Sequence, residues 1–202
     1  ALGETVYDLD KKSAYTFVKA PRYDGKPMEL GPLARQIIAK NPELLDLMKK
    51  GVKPGVVARH AARALETKLV VEACYNWCEE LLIEMTKPDF KIHDKEHWNP
   101  PENASGAGFY EAPRGALGHW IKISNKTIEN YQCVVPSTWN ASPRCGNKYR
   151  GQYEESLIGV PVPDPDNPIN VVRVIRSFDP CLACAVHLID PQTNKMKKFI
   201  IR

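Results

Sequence analysis

Two cysteines near the carboxyl end have a spacing that suits metal or redox chemistry. Residues 179–187 read DPCLACAVH, so that Cys181 and Cys184 lie three positions apart and His187 follows three positions later. At this spacing both sulfurs can turn toward one metal ion, and in a helix the imidazole shares their face. Three interpretations remain open on spacing alone: half of a zinc site, a thiol redox pair, or two buried apolar cysteines. A zinc finger would need a second ligand pair at finger spacing, and the sequence has none.

The other cysteines and histidines give weaker signals. Cys74 and Cys78 lie one turn apart in a helical pattern, near its apolar stripe, which favours packing in the core over metal binding. His60 and His119 are expected to be hydrogen-bonded structural histidines. No function is assigned to three residues in polar loops: His93, His97 and Cys145.

The composition is that of a globular protein. Of the 202 residues, 43% are hydrophobic and 26% are charged, which argues against disorder. The net charge of +4 is spread along the chain, so a nucleic-acid partner is not expected. There is no apolar run near the roughly 20 residues of a membrane span, and no signal-peptide pattern. Any membrane or periplasmic association should therefore come from a partner, with a cytoplasmic location as the alternative.

Capping residues and apolar periodicity predict the helices. A short helix begins at Pro32, and Asn41 caps a second helix over residues 43–50, with Pro42 at its first position. Over residues 54–87 apolar residues recur three or four apart, which predicts one helix of roughly 50 Å at about 1.5 Å per residue. Such a long helix needs other long helices to pack against, and this chain supplies few.

Strand-like runs follow over residues 108–136. A turn at residues 125–126 between two runs of alternating apolar residues predicts a hairpin. Residues 154–158 suit a helical turn, and residues 169–176 suit a further helix. The pattern predicts an α+β fold, predominantly helical, with long helices and a small β-hairpin region. Residues 1–26 have no sustained period and are interpreted as a connector.

The sequence around the cysteine pair resembles the carboxyl-terminal signature of nickel-iron hydrogenase large subunits. That signature matches SFDPCLACAVH at residues 177–187. Four other segments match the family in its order: MELGPLAR at 28–35, ARHAAR at 58–63, APRGALGHW at 112–120 and VVPSTWN at 134–140. The resemblance extends from about residue 15 to the end, and it implies that residues 27–187 are the carboxyl-terminal half of such a subunit.

The resemblance implies a nickel-iron centre held by four cysteine thiolates, with carbon monoxide and cyanide on the iron. Cys181 corresponds to a terminal nickel ligand and Cys184 to a thiolate that bridges nickel and iron. Soft thiolates suit both metals. Cys181 is also the expected base that takes up the proton when hydrogen is split heterolytically. His187 matches a ligand of magnesium or a similar divalent ion, assisted by the backbone carbonyl of Cys133.

Several residues around the metals also match the family. Arg114 corresponds to an arginine whose guanidinium lies over the open side of the metals, where it can polarise hydrogen or assist proton removal. Asp179 is expected to pair with it. Ser137, with Pro136 beside it, matches a position that hydrogen-bonds a cyanide, and Pro113 is assigned to the same cofactor-binding group. The alternatives are a surface salt bridge for Arg114 and a turn role for Ser137.

The chain contains only one of the two CxxC pairs that the family uses. The other pair is expected on the amino-terminal half of the large subunit, which is either a separate chain or part of a longer protein. A small subunit with iron-sulfur clusters is expected to carry electrons. Residues 188–202 resemble the extension that a maturation endopeptidase removes after nickel-insertion proteins have acted. Its retention suggests an immature form or a member that skips this step.

The implied activity is the reversible cleavage of hydrogen to protons and electrons. Two alternatives remain. One is a hydrogen sensor that keeps the metals and signals through a partner. The other is a non-catalytic relative, such as the quinone-binding subunit of respiratory complex I, which lacks the cysteines; Cys181 and Cys184 argue against it.

Overall fold

The computed structural model describes residues 10–93, 99–146 and 148–181, together with the backbone of residues 185–189 and 196–200. Its helices are α1 (Pro32–Ile38), α2 (Pro42–Lys49), α3 (Val56–Glu84), α4 (Pro136–Asn140), α5 (Gln152–Leu157) and α6 (Ile169–Ser177). Its strands are β1 (Asn103–Ala112), β2 (Gly115–Ser124), β3 (Thr127–Val134), β4 (Ala185–Ile189) and β5 (Met196–Ile200).

The first two helices form where the sequence predicts them. The side chain of Asn41 accepts hydrogen bonds from the backbone N–H of Glu43 at 2.9 Å and of Leu44 at 3.2 Å. These bonds satisfy two of the amides that a helix start leaves without a partner, and Pro42 at the first position needs no bond. The predicted asparagine cap of α2 is confirmed.

A small core joins α1 and α2 to the start of α3. Leu33, Leu44, Ala58 and Ala62 are its buried members, and they are at most 5% exposed. Two of the four are alanines on consecutive turns of α3, so the other two helices can approach the α3 backbone closely. The core is confined to the amino-terminal part of α3.

The rest of α3 has an apolar surface that nothing described in this chain covers. The prediction of one long helix is confirmed, but its exposed side chains include large apolar ones: Leu69, Val70, Tyr75, Trp77, Leu81 and Leu82. Cys74 and Cys78 lie on this same part of the helix and are exposed. The prediction that these two cysteines pack in the core is therefore wrong for the described part of the chain, where the helix has no neighbour at this place.

An antiparallel sheet in the order β1-β2-β3 follows α3. The predicted hairpin is confirmed: β2 and β3 pair through a turn in which Asn125 and Lys126 have φ of 51° and 62°. The strand region begins earlier than expected, because β1 starts at Asn103 and pairs with β2 along its whole length. The short helix α4 was not predicted.

Helices and sheet both contribute to the architecture, so the α+β prediction is confirmed. Predominance of helix is not confirmed, because three strands of 10, 10 and 8 residues form a substantial sheet in place of the expected small hairpin. Within the described ranges, no helix combines the length and the apolar character required to cross a membrane.

Candidate metal centre

The turn between β1 and β2 carries Arg114, and two glycines let it lie against the start of α1. Gly115 has a φ of 131° and Gly31 a φ of 127°, values that residues with a side chain rarely adopt. A Cβ on Gly115 would lie 2.6 Å from the Cβ of Leu30, and one on Gly31 would lie 3.2 Å from the carbonyl oxygen of Arg114. The close approach of the two segments therefore requires glycine at Gly115.

Arg35 of α1 fastens the same turn to α3. Its guanidinium donates to both carboxylate oxygens of Glu66 at 2.8 and 2.6 Å and to Glu111 at 2.8 Å. It also donates to the carbonyls of Ala112 at 2.7 Å and Pro113 at 2.9 Å. Burial lowers the pKa of Arg35, but the bonds to the two carboxylates outweigh it, so that the pKa is raised overall. Arg35 thereby fixes the chain just before Arg114.

Arg114 and Asp179 meet across the molecule. Arg114 Nε donates to the carbonyl oxygen of Asp179 at 2.6 Å, and Nη2 donates to the carboxylate Oδ1 at 3.2 Å. The side chains are 36% and 42% exposed, so solvent screens their attraction and the pair mainly fixes orientation. Asp179 has a φ of 53°, a left-handed conformation that aspartate tolerates better than most residues. The expected pairing of these two residues is present.

Cys181 follows two residues later and is tied to α4. Its backbone N–H donates to Ser137 Oγ at 3.1 Å, while its side chain is exposed and unbridged. Ser137 and the preceding Pro136 are buried at the start of α4. Asn140, at the end of α4, accepts from the N–H of Leu30 at 2.9 Å and donates to its carbonyl at 3.0 Å. The serine bond thus holds Cys181 to a helix that is itself fixed to the segment before α1.

A buried arginine on α3 orders the segment that leads to Cys181. Arg59 donates to both carboxylate oxygens of Glu29 at 2.7 and 2.8 Å, and to the hydroxyls of Ser177 and Ser156, each at 3.1 Å. Its guanidinium also lies 3.6 Å from the ring centroid of Phe178. Sequence reasoning recognised Arg59 only as part of a motif, because its partners lie far away in the sequence.

Tyr153 of α5 reaches the same segment. Its ring packs against that of Phe178 with centroids 4.9 Å apart. Its hydroxyl is buried and has no hydrogen-bond partner among the described residues. A buried polar group without a hydrogen bond typically lowers the stability of the fold by about 1–3 kcal/mol. Burial, followed by the charge of Asp179, raises the pKa of Tyr153 to about 12. The sequence offered no signal for Tyr153, because one tyrosine in a short helix is usually structural.

The remaining predicted residues are less well defined. Cys133 is half-buried, and its carbonyl accepts from Lys19 Nζ at 3.4 Å. Cys184 and the side chain of His187 lie outside the described residues. The two histidines expected to be structural have partners: His60 contacts Arg63 at 3.2 Å, and His119 contacts Tyr131 and Cys133.

The donor set fits a thiolate-bound metal that needs further ligands from elsewhere. Of the residues that the structure describes, no three histidine, cysteine or acidic side chains cluster as a metal site. Cys181 supplies one soft ligand, and its thiol is exposed. The cation of Arg114 pairs with Asp179, which lies two residues before Cys181 in the sequence. In its thiolate form, an exposed cysteine can hold a soft metal and accept a proton.

The chain is similar to catalogued hydrogenases over most of its length. The model of the nickel-dependent hydrogenase family matches residues 3–187. The periplasmic NiFeSe hydrogenase large subunit of Desulfomicrobium baculatum is 43% identical over 96% of this chain and 40% of the relative. The quinone-reactive Ni/Fe-hydrogenase large chain of Wolinella succinogenes is 39% identical over 95% of this chain and 35% of the relative.

Solved structures show the same relationship. The NiFeSe hydrogenase of Desulfomicrobium baculatum, anaerobically purified and crystallised under air, superposes with a TM-score of 0.72 at 44% identity, over 89% of this chain and 38% of that one. The chain thus spans about 40% or less of the length of these relatives. Sequence and fold agree along the matched length, and the chain belongs to the nickel-dependent hydrogenase family.

Proposed function

We propose that this chain is the carboxyl-terminal portion of the catalytic large subunit of a nickel-iron hydrogenase, which cleaves hydrogen reversibly into protons and electrons. The observation that carries the proposal is the meeting of three distant segments. The β1–β2 turn brings Arg114, α4 brings Ser137, and the end of α6 leads to Asp179 and Cys181. Arg114 and Ser137 are thereby both bonded to the short segment that carries Cys181.

Each residue has a proposed task. Cys181 and Cys184 would hold the nickel-iron centre, and Cys181 would accept a proton at Sγ. The bound centre supplies the site at which hydrogen binds and gives up electrons. Arg114 polarises the region beside Cys181, and Asp179 keeps its guanidinium oriented, because a paired cation has fewer orientations than a free one.

The proposed setting of the iron involves two prolines and a serine. Ser137, with Pro136 beside it, and Pro113 would accommodate a cyanide on an iron that also carries carbon monoxide. The bond from Cys181 N–H orients the Ser137 hydroxyl as an acceptor, so its own proton is free to be donated elsewhere. A magnesium or similar ion would be held by His187 and the carbonyl of Cys133.

The partners that we propose follow from the metal ligands that Cys181 and Cys184 do not supply. A four-thiolate site needs a second CxxC pair, which we assign to the amino-terminal half of the large subunit. That half would also cover the exposed apolar face of α3. An iron-sulfur small subunit would carry electrons, and nickel-insertion proteins with an endopeptidase would complete maturation by removing residues 188–202. The relatives are named periplasmic or quinone-reactive, and we propose a membrane-associated or periplasmic location through a partner.

The test is isotope exchange by the assembled complex. The chain is co-produced with an amino-terminal half and a small subunit, and the formation of HD from D2 in ordinary water is measured per nickel. This reaction requires heterolytic cleavage but no electron acceptor. We expect HD formation, and a Cys181→Ala complex should form none. A complex with full nickel content that produces no HD would contradict the proposed activity.

A further inference from the structure

The hydroxyl of Tyr153 is a buried polar group whose purpose the site described above does not explain. The ring is fixed in place by its contact with Phe178, at 4.9 Å between centroids, and Phe178 is in turn covered by the guanidinium of Arg59. The hydroxyl therefore cannot swing to solvent without breaking this stack. Within the described part of the chain it nevertheless has no hydrogen-bond partner.

Asp179 is the residue next to Phe178, and its carboxylate has unused capacity. Arg114 donates to Oδ1, and no bond to Oδ2 is found among the described residues. An ionised carboxylate accepts about four hydrogen bonds. Burial and the nearby Asp179 charge raise the pKa of the Tyr153 phenol to about 12, so the phenol carries its proton at neutral pH. A donor that keeps its proton packs against Phe178, and an acceptor with free capacity is the next residue in the chain.

We propose that Tyr153 is a positioning residue for the metal centre: its hydroxyl donates through one bridging water to the Asp179 carboxylate. A water that bridges two polar groups is nearly as favourable as a direct hydrogen bond, and this pair supplies a donor and an acceptor for it. Asp179 is then held from one side by Arg114 and from the other by α5. This inference rests on the proposed function, since it explains how Asp179 keeps Arg114 oriented beside Cys181.

The experiment compares Tyr153→Phe with Tyr15→Phe in the assembled complex. Both substitutions remove one phenol oxygen, and Tyr15 also contacts α5, through Glu154, but it belongs to no part of the site. We expect Tyr153→Phe to keep its nickel, to lower hydrogen turnover per nickel about tenfold, and to shift the infrared bands of the iron ligands. Tyr15→Phe should change neither. Turnover of Tyr153→Phe within twofold of the parent would overturn the proposal.

A second pair of variants separates positioning from general damage. If Tyr153 acts through Asp179, then adding Tyr153→Phe to Asp179→Asn should lower turnover by less than twofold further, because coupled residues are not additive. A full tenfold further loss would show that the two residues act independently, and would refute the inference.

Amide exchange of the metal-free complex gives a readout that needs no activity. We expect the amides of Phe178, Asp179 and Cys181 to exchange several-fold faster in Tyr153→Phe than in Tyr15→Phe, even if nickel loading fails. Equal exchange would overturn the role of Tyr153. An inactive parent complex with this difference intact would instead refute the proposed hydrogenase function alone.

Discussion

Arg59→Lys should loosen the segment that carries Asp179 and Cys181. Arg59 makes two bonds to Glu29, one each to Ser177 and Ser156, and a stacking contact with Phe178, and its side chain is only 8% exposed. A lysine keeps the charge but has neither the planar fork nor the reach to satisfy these groups together.

The cost of this change follows from the bonds that are lost. A lysine can keep one bond to Glu29, so the second Glu29 bond and the two serine bonds are lost, together with the stacking on Phe178. Hydrogen bonds to charged groups contribute about 1.5–3 kcal/mol each, and a buried cation–π contact up to about 2 kcal/mol. Because water and neighbouring donors recover part of this, we expect about 2–4 kcal/mol for local opening of the segment.

Amide hydrogen exchange of the assembled complex measures this opening. The N–H groups of Phe178, Asp179 and Cys181 donate to Ile175, Arg176 and Ser137 respectively. An opening cost lowered by about 2–4 kcal/mol speeds their exchange about 30-fold to 700-fold, at roughly 1.4 kcal/mol per factor of ten. Arg173→Lys is the matched control, because Arg173 lies exposed on α6. Exchange in Arg59→Lys within threefold of this control would refute the reasoning.

Three further predictions concern the turn, the cation and the uncovered helix. Gly115→Ala should abolish nickel loading, because the new Cβ would lie 2.6 Å from Leu30 and an alanine at this positive φ is strained by about 1–3 kcal/mol. The control, Gly106→Ala, has open space around the new Cβ and should load nickel normally. Equal nickel contents would contradict this. Arg114→Lys should keep the metals but slow hydrogen oxidation roughly 100-fold, the scale for losing one preorganised donor; near-normal turnover at full nickel content would remove Arg114 from the mechanism. Residues 1–202 produced alone should aggregate through the exposed face of α3, as size-exclusion chromatography would detect, and a soluble monomer that carries nickel and iron would defeat this expectation.

Local signals in the sequence were sufficient for α1, α2, α3, α6 and the main hairpin. Asn41 before Pro42 marks the start of α2 because side-chain capping is a local interaction. The sequence indicates β1 only from residue 108, because the strand's first residues, NASGAG, lack the β-branched and aromatic residues that indicate a strand. Its position is decided by pairing with β2, which is a tertiary interaction. The five-residue α4 is too short to show a period.

Apolar periodicity also gave one wrong prediction, which concerns burial on α3. The apolar stripe of α3 predicts burial, and it includes the region of Cys74 and Cys78, yet both are exposed here. A hydrophobic pattern shows which face of a helix will be covered, but it does not show whether the covering element belongs to the same chain.

The candidate site, too, could be predicted from the sequence only in part. Arg114, Asp179, Ser137 and Cys181 could be named from motifs, and the structure brings them together. The residues that hold these four in place could not be named from the sequence. Arg59 and Arg35 find their carboxylates about 30 residues away, and such pairings depend on how helices and turns meet.

The most direct test of the central claim is infrared spectroscopy of the assembled complex, combined with nickel and iron analysis. If Cys181 and Cys184 complete a nickel-iron centre, the parent complex should contain one nickel and show bands from iron-bound carbon monoxide and cyanide. Cys184→Ser should lose both metals and all these bands, because a harder oxygen replaces a bridging thiolate. A Cys184→Ser complex that keeps both metals and unchanged bands would contradict the assignment of this cysteine pair to the metal centre.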